Sequence, residues 1–226
     1  MNSQLPLKSK MTEVVAEEII IPVGDLHLMG NIFIPDDAKG IVIFSHGSGS
    51  SRRSPRNTMV ASFLNSFHFG TLLFDLLTPE EDMDRNNRFN IPLLSSRLDA
   101  VTQWLSQQPY ARGLNFGFFG ASTGAASALQ AAARLPEIAA VVSRGGRPDL
   151  ANEELYKVTA PTLLIVGSKD VVVLELNRQA FEQLTCVKRL DIVEDATHLF
   201  EEEGKMEIVE TLAAKWFQKY LQPVNA

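Results

Sequence analysis

The sequence has one cysteine, Cys186, in 226 residues. No disulfide can form within the chain, nothing argues for an oxidising compartment, and no thiol pair is available for redox chemistry or metal binding. Histidine is scarce too. His27, His46, His68 and His198 are the four present, and no two stand at a metal-ligand spacing. Long apolar runs are missing: no segment approaches the roughly 18 unbroken apolar residues of a membrane span, and "MNSQLPLKSKMTEVV" holds no stretch of secretory length. Basic excess is missing as well. With 21 Lys and Arg against 27 Asp and Glu, interspersed, the formal net charge is -6 and no field is strong enough to hold a nucleic-acid backbone. The nearest basic cluster, "SRRSPR" at 51–56, reads as a solvated loop. The acidic "EEDMD" at 80–84 lacks the glycine of a calcium loop and reads as solvated surface. Together these absences set the expectation of a cytoplasmic protein that uses no metal or cofactor, binds no nucleic acid or membrane, and has a small molecule as its partner.

What is present is a large apolar fraction, 45% of residues, enough for one sizeable core. Residues 1–226 read as a single domain, with 1–12 a loosely ordered tail and no room for a separate cap. Leu26, Leu28, Ile32 and Ile34 alternate with more polar neighbours, so the stretch from Glu13 to Pro35 reads as an antiparallel hairpin around "PVGD". Six short apolar runs follow, "GIVIFSH", "GTLLFDL", "LNFGFFG", "IAAVVS", "PTLLIVG" and "VKRLDIV", with helical stretches between them. Alternation of that kind predicts an α/β fold: a mostly parallel, doubly wound sheet with the hairpin at its N-terminal edge. The segment "LLTPEEDMDRNNRFNIP", 76–92, is polar and long, and reads as either a substrate-side loop or a mobile one.

The chemistry centres on "GASTG", 120–124, where a buried run stops and an alanine-rich helix begins. Gly120 and Gly124 allow a turn sharp enough to lift the Ser122 hydroxyl above the strand ends, where open α/β sheets bind ligands. Short G-x-S-x-G matches also arise by chance, and the glycines alone could serve helix packing. A serine needs a base to become a nucleophile. His27 and His68 read as structural; His198, in "DATHLF" after the last strand, is placed to reach a serine above the sheet. A carboxylate must then orient the histidine. Asp170, in "SKD" after its own strand, gives the chain order Ser122, Asp170, His198; Asp195 is the rival, with Glu194 a weaker one. "HGSGSS", 46–51, offers a backbone N–H from Ser48 or a neighbour, opposite that of Thr123, for an oxyanion. His46, Gly47, Gly49 and Phe89 are the candidate pocket residues. One rival reading takes "GSGSSR" and Asp75 as a dinucleotide-binding unit, but Arg52 is too bulky for its third small position and "SRRSPR" delays the helix.

The motifs "HGSGS", "GASTG", "GSKD" and "DATH" together resemble the α/β-hydrolase superfamily over almost the whole chain, and the small size, "SRGGRPDL" and "LLFDLLTPEE" are similar to its dienelactone-hydrolase-like branch. The resemblance implies an α/β-hydrolase fold and a cofactor-free acyl-enzyme hydrolase with Ser122 as nucleophile, His198 as base and Asp170 as acid, acting on a small ester, lactone or thioester. It departs from the dienelactone hydrolases in the elbow, where they carry cysteine and this chain carries serine. A non-catalytic binding module on the same fold, or an acyltransferase with an acceptor other than water, are the alternatives.

Overall fold

The structure, a computed structural model, describes residues 15–222; the expected N-terminal tail, 1–12, lies outside them. The first two strands, β1 (Val15–Val23) and β2 (Leu26–Ile34), form the antiparallel hairpin, paired from Val15 opposite Ile34 to Val23 opposite Leu26. Then β3 (Ile41–Ser45), β4 (Gly70–Phe74), β5 (Phe116–Ala121), β6 (Ile138–Arg144), β7 (Thr162–Gly167) and β8 (Lys188–Val193) complete an eight-stranded sheet in the order β1-β2-β4-β3-β5-β6-β7-β8. β3 to β8 run parallel, and β2 joins them antiparallel against β4. Each of the six runs found in the sequence is a strand, and β3, β4, β5 and β7 are buried at every residue, as strands covered on both faces must be.

Among the described residues five helices pack on the sheet, α1 (Pro55–Ser66), α3 (Ile91–Ser106), α4 (Thr123–Ala132), α5 (Val171–Gln183) and α6 (Lys205–Tyr220), and the single turn α2 (Pro79–Asp82) buries no residue. α1 and α6 pack together on one face, over Val42, Phe44, Phe119 and Val142. α3 and α4 lie on the other, over Ile43, Leu72, Phe118 and Val141. Phe118 and Phe119, neighbours on β5 and both fully buried, thus anchor opposite cores. Truncating either to alanine would cost about 3–5 kcal/mol. α4 is alanine-rich because it is buried almost all round, and small side chains let it approach both the sheet and α3.

The order of the strands reverses at β3, which has β4 on one side and β5 on the other. Connections leave this point over opposite faces and open a crevice above the carboxyl ends of β3 and β5. "HGSGSS" follows β3 and Ser122 follows β5, so both arrive there.

Two readings of polar segments are corrected. Residues 76–92 are held in place rather than loose. Thr78 and Glu81 form a reciprocal capping box at α2, a 3-10 turn spans Arg85–Phe89 behind its Asp84 cap, and Asn90 caps α3. "EEDMD" is therefore structural in part: Glu81 binds Arg97 at 2.5 Å and Asp82 binds Arg88 at 2.7 Å. "SRRSPR" is not one solvated loop. Arg53 is exposed, whereas Arg52 is largely buried between Asp75 (2.5 Å) and Glu18 (2.8 Å). Ser54 caps α1 and Pro55 opens it, so the helix does start late, after Arg52 and Arg53.

Candidate active site

Ser122 sits at φ 53°, ψ -123°, a conformation that an L-residue adopts at a cost of about 1–3 kcal/mol. The fold holds it there through hydrogen bonds to the segment after β6: the Ser122 N–H donates to the Arg144 carbonyl (3.2 Å) and the Arg147 N–H donates to the Ser122 carbonyl (3.0 Å). The flanking glycines are required by contact. A Cβ at Gly120 would lie 2.5 Å from Ala125 Cα, and one at Gly124 would overlap the Ser45 and His46 carbonyls. Thr123 begins α4, so its N–H has no partner within the helix and faces the corner.

Two loops bring Asp170 and His198 together. The turn after β7 and the loop after β8 are stitched by Ser168 N–H to the Val193 carbonyl (2.9 Å), Lys169 N–H to the Ala196 carbonyl (3.0 Å) and Asp195 N–H to Ser168 Oγ (2.8 Å). Glu202 accepts from the Thr197 N–H and fixes the far end. In that frame His198 Nδ1 donates to Asp170 Oδ2 at 2.6 Å. The bond sets the tautomer with the proton on Nδ1 and leaves Nε2 as an acceptor. Asp195, the rival carboxylate, points elsewhere, to Lys169 Nζ at 3.0 Å in solvent. That lysine holds its carboxyl below the usual range. Ser122 and His198 line one cavity of about 250 Å³, together with Gly47, Ser48, Arg56 and Arg144.

The expected residues after β3 divide. Gly47 and Ser48 reach the cavity. The Ser48 N–H, expected to face an oxyanion, donates instead to Thr123 Oγ1 at 2.8 Å, because the two residues meet across the crevice and the hydroxyl is the nearer acceptor. His46, Gly49 and Phe89 stand outside the cavity. His46 has both ring nitrogens engaged, Nδ1 with the Gly47 carbonyl (2.9 Å) and Nε2 accepting from the Leu76 N–H (3.1 Å), and burial pushes its pKa down, so it is a neutral brace for the turn. Gly49, at φ 69°, turns the chain beneath Arg88. Phe89 is exposed and lines a separate surface hollow with Ile91 and Gln130, on the α3 and α4 side. Asp75 is taken by the N–H and guanidinium of Arg52, at 2.7 and 2.5 Å, so the carboxylate that the dinucleotide reading assigns to a ribose is occupied.

Arg144 escaped the sequence reading. It ends β6 beside the elbow, is 5% exposed, and makes no hydrogen bond or ion pair through its side chain among the described residues. Its signal was a charged residue closing the apolar run "IAAVVS" just before two glycines. Among the described residues no group of three or more His, Cys, Asp or Glu could hold a metal ion, and no helix is long and apolar enough to cross a membrane.

Residues 29–225 match the dienelactone hydrolase family. The chain belongs to that family. A dienelactone hydrolase from Anabaena variabilis is 51% identical and superposes with a TM-score of 0.90 over 92% of this chain and 99% of its own. Est1E from Butyrivibrio proteoclasticus, at 16% identity, shares the fold with a TM-score of 0.76 over 89% of this chain and 98% of its own. A Mycobacterium tuberculosis protein named "Putative phosphoribosyl transferase" is 53% identical over 206 residues, 91% of this chain and 46% of that protein. The chain therefore spans about half the length of the curated relatives it matches. Its fold is that of the α/β hydrolases, and the family supports a hydrolase.

Proposed function

We propose that the protein is a serine hydrolase that cleaves a small carboxylic ester, lactone or thioester through an acyl-enzyme. The observation that carries this reading is the 2.6 Å bond between His198 Nδ1 and Asp170 Oδ2, made by loops from two different strands beside a serine in a strained corner. His68 also meets a carboxylate, Asp37 at 2.8 Å, but on the exposed surface; His198 differs in lining the cavity with Ser122, and an oriented imidazole is what a serine nucleophile requires.

In this mechanism Ser122 Oγ attacks the substrate carbonyl while its proton passes to His198 Nε2. Asp170 stabilises the imidazolium. The Thr123 N–H, at the positive end of α4, takes the developing oxyanion. The Ser48 N–H joins it once the Thr123 hydroxyl rotates away and releases it. Collapse expels the alcohol or thiol, which receives the proton from His198. Water then loses a proton to the same nitrogen, attacks the acyl-enzyme, and frees the carboxylic acid and Ser122. No step calls for a metal or cofactor, and the substrate is a small molecule.

The test is turnover of 4-nitrophenyl acetate by purified protein. Ser122→Ala should lower kcat by roughly 10⁴-fold or more. Near-normal turnover by a folded Ser122→Ala protein overturns the reading.

A further inference from the structure

The cavity beside Ser122 has a cationic wall in which one arginine, Arg144, has no ion-pair partner among the described residues and the other, Arg56, has an exposed one. Arg144 is 5% exposed, and its Nε is buried with no hydrogen-bond partner. Its guanidinium carbon rests over the Phe200 ring, 5.9 Å from the centroid, and the residue lines the cavity. Arg56, at the start of α1, lines the same cavity and also has a buried, unpartnered Nε, although its Nη1 binds the exposed Glu201 at 3.1 Å. No residue lining the cavity is acidic. Burial first, and the nearby Arg56 second, pull the Arg144 guanidinium down to about 10.

Buried cations are ordinarily paired, and two arginines facing one space repel each other. A fold tolerates that arrangement when something else supplies the negative charge. The surroundings describe what it is. Ser48 and Ser50 add hydroxyl donors, and the amino end of α1, a helix of 12 residues, opens on the same space. Asn57, only 2% exposed, lines the same space. Two cations match a dianion better than a single carboxylate, and forked guanidinium edges with several hydroxyls suit three terminal oxygens rather than two.

We infer that this wall is a subsite for a phosphate monoester group, and that the ester cleaved at Ser122 carries such a group near its scissile carbonyl. The second half rests on the hydrolase reading given above; the first does not. Phosphate held by Arg144 and Arg56 would orient the acyl carbonyl over Ser122, so Arg144 is a substrate-binding residue.

Binding can be read without chemistry. Inorganic phosphate titrated calorimetrically into the Ser122→Ala protein should bind at one site, and acetate at least 10-fold more weakly. Adding Arg144→Gln should weaken phosphate at least 10-fold, and adding Arg56→Gln several-fold. Melting of the phosphate-free protein supplies a control that a structural role would fail: Arg144→Met, which removes an unpaired buried charge and keeps the bulk, should melt at or above the parent temperature. No phosphate binding, equal binding after Arg144→Gln, acetate binding as tight as phosphate, or a large drop in melting temperature for Arg144→Met each overturns the subsite. Phosphate binding in a protein that hydrolyses no ester leaves the subsite standing and removes the hydrolase reading instead.

Discussion

The two walls of the Ser122 cavity are built in opposite ways. On one side, Asp170 and His198 are bonded to each other, and the loops that carry them are laced together by Ser168 and Lys169 with Val193, Asp195 and Ala196. On the other, Arg56, Asn57 and Arg144 present buried polar atoms without partners. The paired wall is complete as it stands, which suits groups that must hold one geometry throughout a reaction. The unpaired wall is complete only when a ligand is present. Stability and recognition are thus divided between the two sides of one serine.

The strongest way to break the paired wall is to remove the bond at its centre. Asp170→Asn keeps the shape but offers an amide where His198 donates, favouring the wrong tautomer. The loss in kcat should be about 10³- to 10⁴-fold. Asp195→Asn disturbs an exposed ion pair with Lys169 and should change kcat less than about 3-fold. Steady-state kinetics on one ester decides; losses of reversed size would move the acid to Asp195.

A second prediction measures the space between the walls. At about 250 Å³, with Ala121 and Leu199 as its apolar side chains, the cavity suits a short acyl group. Each methylene left in water forgoes about 0.8 kcal/mol. Among 4-nitrophenyl esters, kcat/KM should be highest for acetyl and butyryl and at least about 10-fold lower for decanoyl, with no activation at an oil-water interface. A steady rise to long chains would contradict this reading of the cavity.

The smallest effect concerns the turn between the walls, which His46 braces as a neutral ring. Burial lowers its pKa in the folded state, whereas the unfolded chain takes up a proton near pH 6.5. The contribution of His46 is therefore whole above that pH and is lost as pH falls from there through the folded pKa. Melting temperatures between pH 8 and 5 should decline less steeply for His46→Gln than for the parent; parallel curves would show that His46 does not titrate on unfolding.

The fold was legible because its signals are local. Buried strands read as apolar runs, and the glycines of 120–124 mark a corner where no Cβ fits. The capping box of α2 was also there to be read, in Thr78 and Glu81 three residues apart, but acidic residues in a polar stretch look alike until their partners are known. Arg97, which binds Glu81, lies a helix away. The unpaired wall left only a faint local mark, the charge of Arg144 at the end of an apolar run. Arg144 is buried by Phe200, contributed from far along the chain, and faces Arg56 from another element. A charge at a strand end looks like any surface charge until tertiary packing encloses it. Phe89 failed for the same reason in reverse, since its segment runs near the crevice while its ring points to another face.

The central claim is that Ser122 is a nucleophile activated by His198. Incubation with a fluorophosphonate and mass analysis of the intact protein and its peptides tests it most directly. The account predicts one phosphonyl adduct per chain, on Ser122, formed by the native protein and by neither the heat-unfolded protein nor His198→Ala at a comparable rate. An unmodified Ser122, an adduct on another residue, or labelling unaffected by His198→Ala would contradict it.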